Sequence, residues 1–170
     1  MWFRGGFGRA CKLAGVLAVA LALASCSRQM QPKEYGVGGS GPVKPGTARD
    51  FAVNAGDVVR FEVDSAQLTG GARTILRNQA RWLNKYPQNT VTIEGHADER
   101  GTREYNIALG ARRAMSVRGF LASQGVTAGR IRTISYGKER PVAVCDDISC
   151  WSQNRRVQTV LNNGAMVRKY

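Results

Sequence analysis

The segment Glu94–Ala114, EGHADERGTREYNIALGARRA, concentrates the side chains that could do chemistry. Asp98 follows an alternating run and falls in the polar turn after it. Asn106, Leu109 and Arg113 then recur at spacings of three and four, one stripe of a helix. Arg112 lies ~100° around the helix from Arg113 and faces solvent. A carboxylate and a guanidinium across a cleft hold a zwitterion: Asp98 takes the ammonium and Arg113 grips the carboxylate as a two-toothed fork. Two such contacts, at ~1.5–3 kcal/mol each, plus some packing give roughly micromolar-to-millimolar recognition of a small group. The plainer alternative is that Asp98 and Arg113 pair with each other, and spacing alone leaves both open.

Other chemistry is poorly supported. The chain of 170 residues has one histidine, His96, which excludes a metal site built on two or more histidines. It has no G-x-S-x-G elbow and no P-loop, and no cofactor is implied. His96 reads either as a base beside Asp98 or as a residue closing the strand and hydrogen-bonding the loop. The second is favoured, because no nucleophile or metal constellation accompanies it. Trp82 and Trp151 read as packing residues. Lys and Arg number 25 against 12 Asp and Glu, a formal charge of +13 that predicts an anionic partner surface.

The elements that must position these residues follow from periodicity. VVRFEV at 58–63 reads as a strand, and a helix follows over 70–86 with Thr69 as N-cap. In it Ala72, Ile75, Leu76, Gln79/Ala80 and Leu83 form the inner stripe, while Arg73, Arg77, Arg81 and Lys85 repeat on another face. TVTIEG at 90–95 reads as a second strand, 96–103 as a polar turn, and 104–123 as a long helix. The apolar side of that helix is expected to carry Ala108, Ala111, Met115 and Leu121, flanked by Val117 and Phe120. IRTISY at 131–136 and RVQTVL at 156–161 complete the set. The order β-α-β-α-β-β predicts an α+β fold with two main helices on one face of a mixed sheet.

Residues 1–25 have a basic start (Arg4, Arg9, Lys12) and a twelve-residue apolar run from Leu13 to Ala24, the layout of a secretory signal and too short to span a ~30 Å bilayer. The segment ends Leu23-Ala24-Ser25-Cys26, which resembles the lipobox of bacterial lipoproteins. That resemblance implies acylation of Cys26, and Ser27 after it implies sorting to the outer membrane. Loss of three basic residues with the signal lowers the charge from +13 to +10, so the excess belongs to the mature chain. Residues 26–50, rich in Gly and Pro, read as the lipidated cysteine and a flexible linker with a typical span of ~25–30 Å. The formal G-x-G-x-x-G at 36–41 has no strand before it and Pro42 behind it, so it fails as a nucleotide site. The folded domain is expected over 51–161, with a basic tail at 162–170. Cys145 and Cys150 flank a short loop; export favours a disulfide between them, with a zinc site as the weaker alternative.

The core of EGHADERGTREYNIALGARRA, with FEVDSAQLT before it and SYGKERP and SQNRRV after it, resembles the OmpA-like domain over about 58–161, and most closely its lipid-anchored, wall-binding members. The resemblance implies non-covalent binding of meso-diaminopimelate in peptidoglycan by Asp98, Arg113, Asn106 and Leu109, with Asp64 as a less direct match. It also implies a periplasmic partner, TolB of the Tol system, and a role in envelope integrity and division. One of Arg155 and Arg156 is expected to support the pocket, and spacing does not say which.

Three classes of function remain distinguishable at this point. A binding module that ties outer membrane to wall needs no chemistry. A wall hydrolase would need a second carboxylate at a defined spacing, which neither Glu94 nor Glu99 supplies. Nucleic-acid binding has only the charge in its favour, since aromatic and basic residues are not interleaved and the chain is exported.

Overall fold

Thr47 caps a short helix: its Oγ1 accepts the Asp50 backbone N–H at 3.3 Å. In the computed structural model, which describes residues 42–162, that helix is α1, Ala48–Asn54. The linker was expected to run to residue 50, but the helix begins at Ala48 and Asp50 is already buried. The Asp50 carboxylate accepts Trp82 Nε1–H at 2.9 Å and the Gly46 backbone N–H at 2.8 Å. The Phe51 ring packs edge-on against Trp82, 5.0 Å between centroids. Polar spacing concealed this anchor because its key residue is a carboxylate that is buried only when hydrogen-bonded. The signal segment, Cys26, the first part of the linker and residues 163–170 lie outside the described residues.

The remaining elements are β1 (Val58–Arg60), α2 (Gly70–Lys85), β2 (Val91–His96), α3 (Arg103–Ser123), a 3₁₀ turn at Ala128–Arg130, β3 (Ile131–Gly137), α4 (Ile148–Asn154) and β4 (Arg156–Leu161). The sheet order is β1-β4-β2-β3. β2 and β3 are parallel, while β4 runs antiparallel to both β1 and β2. α2 and α3 pack on one face, so the fold is the expected α+β mixed sheet, with α1 and α4 as additions. The core joins Leu76, Ala80 and Leu83 of α2, Ala114, Val117 and Leu121 of α3, and Val59, Val91, Ile93, Ile131 and Val157 of the sheet. Among the described residues no helix is long and apolar enough to cross a membrane.

Two sequence expectations need correction. β1 stops at Arg60 instead of Val63. Phe61 N–H still bonds the Arg155 carbonyl at 2.9 Å, but beyond it the chain turns, with Asp64 at a φ of 51°. The second correction concerns α3, whose inner stripe is Asn106, Leu109, Gly110, Arg113, Ala114, Val117 and Leu121. Ala108 and Ala111 face solvent, and Met115 is 51% exposed. Apolarity misplaces the stripe because two polar residues, Asn106 and Arg113, point inward for the sake of the cleft described below.

The height of α3 above the sheet is fixed by a backbone contact. A Cβ added at Gly95 of β2 would sit 1.9 Å from the Gly110 carbonyl oxygen, and one at Gly110 would sit 2.4 Å from Ser135 Oγ. Gly95→Ala is therefore expected to lower the unfolding free energy by about 3 kcal/mol through overpacking. Gly119→Ala, where an added Cβ meets nothing, is expected to stabilise α3 by about 0.5–1 kcal/mol. Urea unfolding of the two variants beside the parent chain reads both signs.

Candidate functional site

At the C-terminal end of β2 the chain leaves the sheet as a turn that crosses over the start of α3. Thr102 caps α3, its Oγ1 accepting the Tyr105 backbone N–H at 3.2 Å. Gly101 takes a φ of 84°, which a side chain would resist. Asn106 Nδ2 donates to the Arg100 carbonyl at 2.7 Å, and Lys138 Nζ donates to the carbonyls of Glu99 and Gly101 at 3.1 and 2.7 Å. The turn at 98–101 is thus fastened from two sides, and it presents Asp98 toward the 61–65 turn.

Between these turns and α3 lies a cleft of about 260 Å³, lined by Asp64, Asp98, Asn106, Leu109 and Arg113 together with Val63, Arg100, Gly101 and Tyr105. All five side chains expected at the site therefore meet in one place. The alternative in which Asp98 and Arg113 pair is not what forms. Asp98 is held by Arg100 (Nη2 to Oδ2 at 2.6 Å, Nε to Oδ1 at 3.2 Å) and by Arg155 (Nη1 to Oδ2 at 3.3 Å). Burial pushes the Asp98 pKa upward, but the hydrogen bonds from Arg100 and Arg155 outweigh it and hold the carboxyl below its ordinary value. Asp98 is a stable anion at neutral pH.

Arg113 differs from expectation in a way that matters. Its guanidinium is 0% exposed, and it donates from Nε to the Ser65 carbonyl at 2.8 Å, from Nη1 to the His96 carbonyl at 2.8 Å and from Nη2 to the Glu62 carbonyl at 3.0 Å. The open fork expected to grip a carboxylate is not presented. Three of its five N–H groups already hold backbone, and what it offers the cleft is its charge. Burial lowers its pKa to about 10, with Asp98 opposing that shift and Arg155 adding to it, so the group stays charged at neutral pH. Arg113 is also a structural post. Truncating it would strand three carbonyls and disturb the fold together with the cleft.

Three residues at the site were missed or left open by sequence. Arg100 sits inside the quoted motif, yet helical spacing says nothing about a turn residue two positions from Asp98. Tyr105 donates its hydroxyl to the Asp64 carboxylate. Of the arginine pair, Arg155 is the one that supports the pocket, reaching both Asp98 and the Phe61 carbonyl. Arg156 turns elsewhere and donates to the Arg140 carbonyl. The signal that joins Arg155 to Asp98 is strand pairing across the sheet, which no local period carries. Trp151 is likewise no core residue: it hydrogen-bonds Glu99 and carries the Arg100 guanidinium over its ring at 4.3 Å. Cys145 and Cys150 are joined as a disulfide at the start of α4, which removes the zinc alternative.

His96 closes β2, as its quieter reading held, and its carbonyl serves Arg113. The ring does not bond the loop. It is 2% exposed, 5.6 Å from the Tyr136 ring, and neither nitrogen has a hydrogen-bond partner among the described residues. Burial, then the charges of Arg156 and Arg140, lower its pKa to about 3. A histidine so depressed stays neutral while the unfolded chain takes up a proton near pH 6.5. The native state is therefore undermined as pH falls from about 6.5 toward 3, by up to about 1.4 kcal/mol per pH unit. Because His96 is the sole histidine, one imidazole resonance reports on it. That resonance is expected to stay at its neutral position from pH 8 down to 5; a midpoint near 6.5 would contradict the burial.

A charged cleft at the strand ends of an α+β sheet, built by one turn and one helix, defines a ligand-binding domain. The sequence profile of the OmpA family matches residues 60–155. The peptidoglycan-associated lipoprotein of Agrobacterium fabrum is 58% identical over 154 residues, covering 88% of this chain and 87% of its own. That of Pseudomonas aeruginosa is 40% identical over 163 residues, covering 89% and 95%. The crystal structure of the peptidoglycan-associated lipoprotein from Burkholderia pseudomallei superimposes with a TM-score of 0.60 at 41% identity, over 62% of this chain and 89% of that one. The C-terminal domain of Helicobacter pylori MotB, at 24% identity and a TM-score of 0.60, over 64% of this chain and 86% of that one, shares the fold alone. The chain belongs to the OmpA family and, within it, to the peptidoglycan-associated lipoproteins.

Proposed function

We propose that this chain is an outer-membrane lipoprotein whose cleft binds peptidoglycan non-covalently through meso-diaminopimelate. The observation that carries the reading is that Asp98 and Arg113 line one cleft without pairing with each other. A zwitterionic amino-acid terminus fits such a place: its ammonium meets Asp98, its carboxylate meets the field of Arg113, and Leu109 and Asn106 supply apolar contact and a hydrogen bond. The names of the relatives support the wall as the source of that group and an acylated cysteine as the anchor, which falls on Cys26. The Tol system and its TolB protein, and a part in envelope integrity and division, follow from the family resemblance.

Binding without turnover is the better supported reading. Asp98 is held ionised by two arginines, which disqualifies it as a general acid near neutral pH. The Asp64 carboxylate accepts the Tyr105 hydroxyl, and the other carboxylate that lines the cleft, Asp98, is the one held ionised, so the protonated member of an acid pair is not supplied by it.

Asp98→Asn keeps the shape of the side chain and removes its charge. In co-sedimentation of the mature chain, in mild detergent, with sacculi of the diaminopimelate type, it is expected to weaken capture about 10- to 100-fold, the worth of one charge-assisted contact. Free meso-diaminopimelate is expected to compete with the parent chain. Capture that only salt reverses, or that Asp98→Asn leaves unchanged, would remove the cleft from the account. For the anchor, Cys26→Ala is expected to abolish incorporation of a fatty-acid probe in growing cells; a labelled variant would refute acylation there.

A further inference from the structure

Arg100 is the most conspicuous side chain at the cleft that neither the fold nor the proposed contacts require. It projects into solvent, 41% of its side chain exposed, and yet it closes a two-point fork on Asp98, with its own backbone N–H adding a third donor to Asp98 Oδ1 at 3.3 Å. Asp98 does not need it for satisfaction, since buried Arg155 already donates to the same carboxylate. The Arg100 guanidinium stands where a ligand ammonium would have to bind.

The surroundings make that position reproducible. The Trp151 ring lies 4.3 Å from the guanidinium carbon and hydrogen-bonds Glu99 next to it in sequence. Trp151 belongs to α4, which begins inside the loop closed by the Cys145–Cys150 disulfide. Lys138 holds the Glu99 and Gly101 carbonyls on either side of Arg100, so the backbone is fixed and only the long side chain is free to turn. A cation on a rigid turn, stacked on an aromatic ring and laid across a carboxylate, is a built-in occupant of that carboxylate.

We propose that Arg100 is a gate on Asp98: it occupies the cation site in the unliganded chain and must be displaced by the ammonium group of the ligand. This inference rests on the proposed reading of the cleft. Its consequence is selective. An exchange of one cation for another keeps Asp98 paired throughout, whereas a neutral ligand that pushed Arg100 aside would leave the carboxylate with one partner fewer. Trp151 is a positioning residue that keeps Arg100 over Asp98 and gives it a platform to slide along.

The gate predicts a sign opposite to that of simple charge attraction. Arg100→Ala removes a positive charge next to an anionic polymer, so charge alone would make it bind more weakly. A gate makes it bind more tightly, because the fraction of competent molecules rises. Titration of the mature chain in detergent with free meso-diaminopimelate, followed calorimetrically, is expected to show about a three-fold lower Kd for Arg100→Ala, the size an exposed ion pair of this kind supplies. Trp151→Leu should shift it the same way by less. Arg132→Ala, an exposed arginine on β3, controls for the lost charge and should not tighten binding. An Arg100→Ala Kd equal to or above that of the parent overturns the gate while leaving the cleft in place. If the parent itself shows no binding of meso-diaminopimelate, the reading of the cleft fails first and the gate falls with it.

Discussion

One buried cation organises this end of the molecule. The Arg113 guanidinium is taken wholly out of water, a transfer that costs several kcal/mol unless the group is well partnered. Its partners are three backbone carbonyls, from Glu62, Ser65 and His96, and the nearby charge of Asp98 offsets part of the remainder. Because those carbonyls come from the turn after β1 and from the end of β2, a single side chain of α3 ties a helix, a strand end and a loop together. The early end of β1 is the visible consequence: carbonyls that would continue a ladder are drawn to Arg113 instead. Such hydrogen bonds to a charged donor are worth ~1.5–3 kcal/mol each, enough to hold a turn with Asp64 at positive φ.

The glycine pair beneath α3 makes this reach possible. Close contact between Gly95 and Gly110 lets the helix sit low on β2, one turn before Arg113 and one turn after Asn106. A side chain at either position would lift the helix, and Arg113 would no longer meet the His96 carbonyl while Asn106 met that of Arg100. Fold and cleft are thus coupled through backbone contact as much as through side chains.

Much of this was legible in the sequence, and what was not has a physical cause. Strand-like patterning located β2, β3 and β4, the cap at Thr69 opened the first long helix, and spacing put Asn106, Leu109 and Arg113 on one stripe. Apolarity failed on the same helix, where Ala108, Ala111 and Met115 look like a core face and are not. An arginine facing inward is invisible to a hydropathy pattern, because its burial is decided by carbonyls 17 to 51 residues away in sequence. Arg155 was left open, and Trp151 read as a packing residue, for the same reason: each acts on the 98–100 turn from the far end of the chain. The anchoring of α1 by Asp50 and Trp82 is a further long-range hydrogen bond in an apolar setting.

The charge of the chain and the chemistry of its cleft operate at different ranges. The formal charge of +13 attracts any anionic polymer, but at physiological salt that attraction decays over ~8 Å and carries no information about the group bound. Inside the cleft the balance is local. Asp64 and Asp98 line it as carboxylates, each with a partner, Tyr105 and the Arg100–Arg155 pair respectively, and Arg113 supplies positive charge from below. A polyanion without an ammonium group gains the long-range attraction and then meets two carboxylates at the contact. A zwitterion gains less at a distance and more at the end. On the proposed reading of the cleft, discrimination is therefore strongest where the solvent is excluded and weakest at the surface, which would let a strongly basic domain approach a whole polymer and still select one residue type within it.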